Sequence, residues 1–147
     1  MLYVYEFEFY KSGNSVVAYP FEVGEGTFGD DLRDAVECAA DWLSGFINDH
    51  LVSGNPLPTP EFGHLPQFGG TIIAVAVDCD LSKIEAVSAA DAARILGVST
   101  ARVAQMCEAG KLESWREGSS RRVTRDSLDA RLLDAPKAGR PKKAAMA

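Results

Sequence analysis

At 147 residues, 46% hydrophobic and 24% charged, the chain can bury one large core or two small ones, and its mixed composition excludes a fibrous or low-complexity protein. The formal net charge of −6 hides a division: residues 1–80 hold 13 Asp and Glu against Lys11 and Arg33, a net of −11, whereas residues 81–147 hold 8 acidic against 13 basic residues, a net of +5. The first part repels nucleic acid and attracts basic partners, and the second is suited to phosphate.

Residues 2–10 alternate, with Tyr3, Tyr5, Phe7 and Phe9 on one side and Val4, Glu6 and Glu8 on the other, which predicts a half-buried strand. Lys11-Ser12-Gly13-Asn14 is a turn, residues 15–21 form a second strand ended by Pro20, and residues 23–28 have room for a short third. Gly29-Asp30-Asp31 opens a long helix. Its apolar stripe runs Leu32, Val36, Ala39, Leu43 and Phe46 with Ile47 adjacent, and its outer face is mostly acidic: Arg33, Asp34, Glu37, Asp41 and Asp49. Gly54 closes that helix and a proline-rich segment prevents its continuation. Residues 71–77, TIIAVAV, read as a continuous apolar strand buried on both faces, and so central in its sheet. Residues 1–80 thus form one expected domain, β-β-β-α-β, with one helix on one side of the sheet, and residues 81–86 an expected linker.

Residues 87–134 form the second expected domain. Ser88 with Asp91 is a helix start; Ala92, Ala93, Ile95 and Leu96 make a short helix that Gly97 stops. Ser99 caps a second helix, residues 100–109, which Gly110 ends. Two short helices separated by a Gly-Val-Ser turn have helix-turn-helix geometry. Val103, Met106 and Cys107 face inward, leaving Thr100, Ala101, Arg102, Gln105 and Glu108 outside. Residues 112–124 predict a hairpin bearing Arg116, Arg121 and Arg122 around the turn 117–120, and Thr124 caps a last helix with Leu128, Leu132 and Leu133 on its buried side. The candidate DNA contacts are Ser99, Thr100, Arg102 and Gln105 in the groove and Arg116, Ser119, Arg121 and Arg122 in the wing, since Arg and Gln read base edges and hydroxyls bind phosphate. The tail, residues 135–147, is basic and rich in Ala and Pro, which predicts disorder in the free protein. Arg140, Lys142 and Lys143 are further candidate DNA contacts there.

Two resemblances follow. Ala92, Ala93, Leu96, Gly97, Val98, Ser99, Val103, Gly110, Leu112, Arg116, Gly118, Arg122, Asp126 and Leu128 fall at the spacing of the excisionase and MerR-like helix-turn-helix family, with Asp91 where that family has Glu. This resemblance implies a winged DNA-binding domain. Tyr19-Pro20, then Gly29-Asp30-x-x-x-Asp34-Ala35, then Gly54-Asn55-Pro56-Leu57-Pro58-Thr59-Pro60 resemble the HicB antitoxin domain, although Phe21-Glu22-Val23-Gly24 departs from its turn. That resemblance implies a truncated ribonuclease-H-like fold without nuclease activity, joined to a DNA-binding segment. It further implies an antitoxin that blocks a HicA-like basic, RNA-cleaving toxin and represses its own operon. The fold class expected is therefore α+β, and the partners implied are toxin and operator DNA. Specific binding by so small a DNA-binding unit implies two units on a repeated half-site, so a homodimer or tetramer through the first domain is also expected. The alternative is a MerR/excisionase-like regulator whose first domain senses a ligand or partner without a toxin.

An enzyme is not expected. Candidate carboxylates for two-metal cleavage exist in Glu6 or Glu8, Glu37 or Asp41, and Asp78 or Asp80, but they read as surface acids. His50 and His64 lack partners at ligand spacing, so no metal and no cofactor are expected. Cys38, Cys79 and Cys107 stand far apart and read as reduced core thiols. The longest apolar run, residues 72–77, is too short for a bilayer and no leader pattern is visible, so the expected location is cytoplasmic and no membrane partner is expected.

Overall fold

The computed structural model describes residues 1–134. The candidate contacts Arg140, Lys142 and Lys143 lie outside the described residues. The fold is mixed α and β and divides into two compact units, Met1–Ile84 and a second beginning at Glu85.

In the first unit the aromatic alternation makes β1 (Leu2–Ser12), which turns through Gly13-Asn14 into β2 (Ser15–Pro20). A short β3 (Thr27–Gly29) pairs with β2. Helix α1 (Leu32–Ser53) begins where the Asp31 side chain accepts the Asp34 amide at 2.8 Å and ends at left-handed Gly54, φ 72°. Strand β4 (Thr71–Asp78) returns antiparallel to β1, giving the order β3-β2-β1-β4. The core lies between sheet and helix: Tyr5, Phe7, Phe9, Val75 and Val77 meet Ala35, Ala39, Leu43 and Ile47. Gly29 is required there, because a Cβ at this position would strike the backbone nitrogen of Ala35 in the first turn of α1.

Three expectations need correction. First, the buried stripe of α1 is Ala35, Ala39, Leu43 and Ile47, while Leu32 is 47% exposed and Val36 and Phe46 lie at its margin. The helix approaches the sheet along small residues, so the bulkiest side chains splay to the flanks. Second, β4 is an edge strand, and only alternate residues, Val75 and Val77, are buried. An apolar run gives no sign of which neighbours a strand has, and here one face of the sheet has no helix over it. Third, the expected linker 81–86 is built into the units. Asp80 caps a 3-10 turn, Leu81–Lys83, and Ala86 already belongs to β5 (Ala86–Ser88).

The second unit follows with α2 (Ala89–Leu96), α3 (Thr100–Glu108), β6 (Ser114–Glu117), β7 (Ser120–Thr124) and α4 (Arg125–Asp134). Ala92, Ala93, Val103, Met106, Leu112, Val123 and Leu128 form its core. Strand β5, unforeseen because three residues carry no periodicity, joins β7 and β6 in a sheet of order β5-β7-β6. Leu132 and Leu133, expected to be buried, are 43% and 87% exposed at the end of α4. A ten-residue helix anchored by Leu128 alone leaves its last turn beyond this small core. Among the described residues no helix is long and apolar enough to cross a membrane.

Candidate nucleic-acid interface

Two caps set the helix pair. Ser88 Oγ accepts the Asp91 amide at 3.0 Å, and Gly97, φ 68°, closes α2 with left-handed backbone. Ser99 Oγ then accepts the Arg102 amide at 3.1 Å and starts α3. Ser99 is therefore occupied as a cap and fixes the start of α3. Val103 and Met106 are buried beneath α3, which leaves Thr100, Arg102 and Gln105 exposed on the opposite side. Arg102 and Gln105, three residues apart, meet at 3.4 Å, so one guanidinium and one amide form a single polar patch.

The wing sorts its three arginines by strand parity. Gly118, φ 64°, and Ser119 make a two-residue turn between Glu117 and Ser120, tighter than the four-residue turn expected. This register sets Arg116 opposite Arg121 and Trp115 opposite Arg122. Arg116 donates to the Ser119 carbonyl at 3.2 Å and Arg121 to Ser114 Oγ at 3.0 Å. Both line a groove with Ala89, Ala104, Glu108 and Ser119, between the start of α2, the flank of α3 and the hairpin. Like charges directly opposed across a strand pair destabilise it, and an anion between them removes that cost. Phosphate is such an anion.

Arg122 is on the other face. Its Nη2 donates to the Ala86 carbonyl at 2.9 Å, tying β7 to β5. It braces the unit, on the face of the hairpin opposite to Arg116 and Arg121. The signal was present in the sequence: a hairpin symmetric about Gly118-Ser119 must pair Arg116 with Arg121 and turn Arg122 away. Sequence reasoning missed Ser114, which holds Arg121; Glu108, expected on the outer face of α3, is in the groove and partly offsets its positive charge.

The first unit has a polar site of a different kind. Glu6 and Glu8 lie on the sheet face turned away from α1. Glu8, with no accessible surface, accepts the amides of Gln67 at 2.6 Å, Phe68 at 2.8 Å and Gly70 at 2.9 Å. Glu6 accepts the His64 amide at 3.0 Å and meets its Nδ1 at 2.8 Å, while Glu22 lies 3.6 Å from Nε2 and Phe21 stacks on the ring. These carboxylates bind residues 61–70 across the sheet, and the reading of Glu6 and Glu8 as surface acids is corrected: Glu8 is a buried anchor and Glu6 a partly buried one. His64, expected to lack a carboxylate partner, has two from distant parts of the sequence. Glu37 and Asp41 are exposed on α1, with the sheet between them and Glu6 or Glu8. Asp78 pairs with Lys83 at 2.7 Å and Asp80 caps its turn. The candidate nuclease carboxylates therefore do not converge, and among the described residues no group of three His, Cys, Asp or Glu is placed for a metal. His50 sits at the end of α1, with Nδ1 2.9 Å from the Phe46 carbonyl.

Comparison with known proteins agrees with the architecture of the second unit. Residues 86–135 match a family described as a helix-turn-helix domain. Those residues are a helix-turn-helix domain, a DNA-binding architecture. No curated protein matches the chain. Among solved structures, it is similar to a chain of a "Toxin-Antitoxin complex from Streptococcus pneumoniae", with 19% identity, a TM-score of 0.46, and coverage of 76% of this chain and 99% of that one.

Proposed function

We propose that the protein is the antitoxin and autorepressor of a toxin–antitoxin pair. The unit Met1–Ile84 is a HicB-like, truncated ribonuclease-H-like domain that binds a small, basic, HicA-like RNA-cleaving toxin. The helix-turn-helix unit binds operator DNA through Thr100, Arg102 and Gln105 on α3 and through Arg116, Ser119 and Arg121 in the wing, with Ser99 setting the angle of α3. In this reading the protein works by binding, without catalysis, metal or cofactor, in the cytoplasm. One winged unit makes few base contacts, so operator specificity needs at least two copies on repeated half-sites.

The observation that carries the reading is the joining of two opposed surfaces in one chain. An acidic unit in the element order β-β-β-α-β precedes a winged unit that carries the cross-strand pair Arg116 and Arg121 and an exposed Arg102–Gln105 patch. The acidic surface suits a fast, salt-sensitive association with a basic protein, and the arginine pair suits phosphate. Co-expression with a small basic protein encoded next to this chain, followed by pull-down at low and high salt, tests it. A complex that weakens with salt and relieves growth arrest is the expected result. A chain that binds DNA but neither binds nor neutralises that neighbour overturns the toxin half and leaves a DNA-binding regulator.

A further inference from the structure

The sheet of the first unit ends on one side in β3, three residues long, and on the other in β4, eight residues long. The direction of each backbone group along β4 follows from the start of its ladder with β1. The Cys79 amide donates to the Met1 carbonyl at 3.0 Å, and the Met1 amino group donates to the Cys79 carbonyl at 3.2 Å. In an antiparallel ladder such doubly bonded pairs alternate with unbonded ones. Counting in twos through Tyr3↔Val77, Tyr5↔Val75 and Phe7↔Ile73 directs the backbone groups of those residues at each other. The N–H and C=O groups of Ile72, Ala74 and Ala76 therefore point away from β1, and among the described residues they have no other backbone partner.

Edge strands are ordinarily guarded by lysine, proline, a bulge or shortness. Shortness guards β3. The register of β4 against β1 runs without a bulge, residues 71–77 contain no charge and no proline, and Asp78 at the end is neutralised by Lys83 and the amino terminus at 2.7 and 2.8 Å. The segment 61–70 does not cover this edge, since it is bound to Glu6, Glu8 and Glu22 on and beyond β1.

We propose that β4 pairs antiparallel with β4 of a second copy, fusing two four-stranded sheets across a two-fold axis. An isologous interface presents the same patch twice, and an antiparallel strand pair meets that condition. With Ala74 on the axis, Ile72 of each copy lies opposite Ala76 of the other, large against small, and the outward backbone groups close a second ladder. Charge selects this occupant over a basic partner. The carboxylates nearest β4, Glu6 and Glu8 opposite Ala74 and Ile72 on β1, are taken up by the amides of residues 64–70, so a basic strand would find no free carboxylate along residues 71–77, while two copies meet there with no like charges opposed. The inference is independent of what the acidic surface binds.

Sedimentation equilibrium of the full chain from micromolar to several hundred micromolar tests it, beside Ala74→Pro and Ala74→Lys. The proline removes an N–H that points away from β1, and the lysine places two like charges at the axis, so both leave the fold intact by circular dichroism. A concentration-dependent dimer is expected for the natural chain. Its dissociation constant should rise at least about tenfold in both variants, in Ala74→Pro through the loss of a ladder bond in each direction and in Ala74→Lys through the opposed charges. Added salt should tighten the dimer, because it screens repulsion between two acidic units. A natural chain that stays monomeric, or a dimer unchanged by Ala74→Pro, overturns the proposal. A monomer that loses its basic partner in Ala74→Pro assigns the edge to that partner and overturns it equally.

Discussion

Glu8 is a carboxylate with no accessible surface and three backbone donors, and its chemistry decides whether residues 61–70 stay on the sheet. Burial pushes its carboxyl up, but the amides of Gln67, Gly70 and Phe68 together outweigh burial and hold it below the ordinary value. At Glu6 the His64 amide, then the His64 ring, do the same. A carboxyl depressed in the folded state contributes stability that is present above its unfolded value, near 4.5, and is lost as pH falls through the folded value. The segment is therefore held at neutral pH and released on acidification below that range, which the amide signals of Gln67, Phe68 and Gly70 will report in a pH titration. Glu8→Ala leaves three donors unmade and should cost about 2–4 kcal/mol in urea unfolding at pH 7. The wing arginines separate in the same spirit. Arg121→Ala should lower the slope of log affinity against log salt by about 1 and leave stability within about 0.5 kcal/mol. Arg122→Ala, losing the bond to the Ala86 carbonyl, should lower stability with little change in that slope; the reverse pattern would return Arg122 to the interface.

Among the elements, α3 is the one whose placement matters most, and its cap gives a clean separation of fold from contact. Ser99→Ala removes the acceptor for the Arg102 amide and should cost about 1 kcal/mol in thermal unfolding. Ser99→Asp restores the cap and with it the stability, but sets a carboxylate where phosphate would approach, so DNA affinity should fall further than in Ser99→Ala. Equal affinity in the two variants would remove the start of α3 from the interface. The elements also show what the sequence made legible. Helix caps were readable residue by residue, since Asp31, Gly54, Ser88, Gly97 and Ser99 act through bonds to neighbours in the chain. The edge position of β4, the phase of the α1 stripe and the existence of β5 were not readable, because each depends on a partner far away in sequence. The burial of Glu8 is the sharpest case. Alternation placed it on the polar face, and nothing local announced that a segment some 60 residues later would bring three amides to it.

Across the whole molecule, charge was the most legible property, since counting residues requires no geometry. The acidic first unit and the basic remainder predict two salt dependences in one protein: association with a basic partner and with DNA both weaken with salt, while self-association through β4 strengthens. Salt titration of each equilibrium on the same preparation distinguishes them, and a self-association that weakens with salt would place charged groups at that interface. The composition alone suggested a DNA-binding half but left open which arginines serve it. The hairpin register separates them by face, Arg116 and Arg121 on one and Arg122 on the other.

Two of the three thiols free of disulfides, Cys79 and Cys107, give the protein a pair of internal clocks. Cys79 is buried at the end of β4, and burial pushes its thiol up, so an alkylating reagent reaches it only when the first unit opens. Cys107 lies on α3 against the core of the second unit and is uncovered when that helix lifts. Modification rates followed by mass spectrometry, peptide by peptide, therefore time the opening of each unit in the unaltered chain. Added DNA should slow the clock at Cys107 and leave the one at Cys79 running.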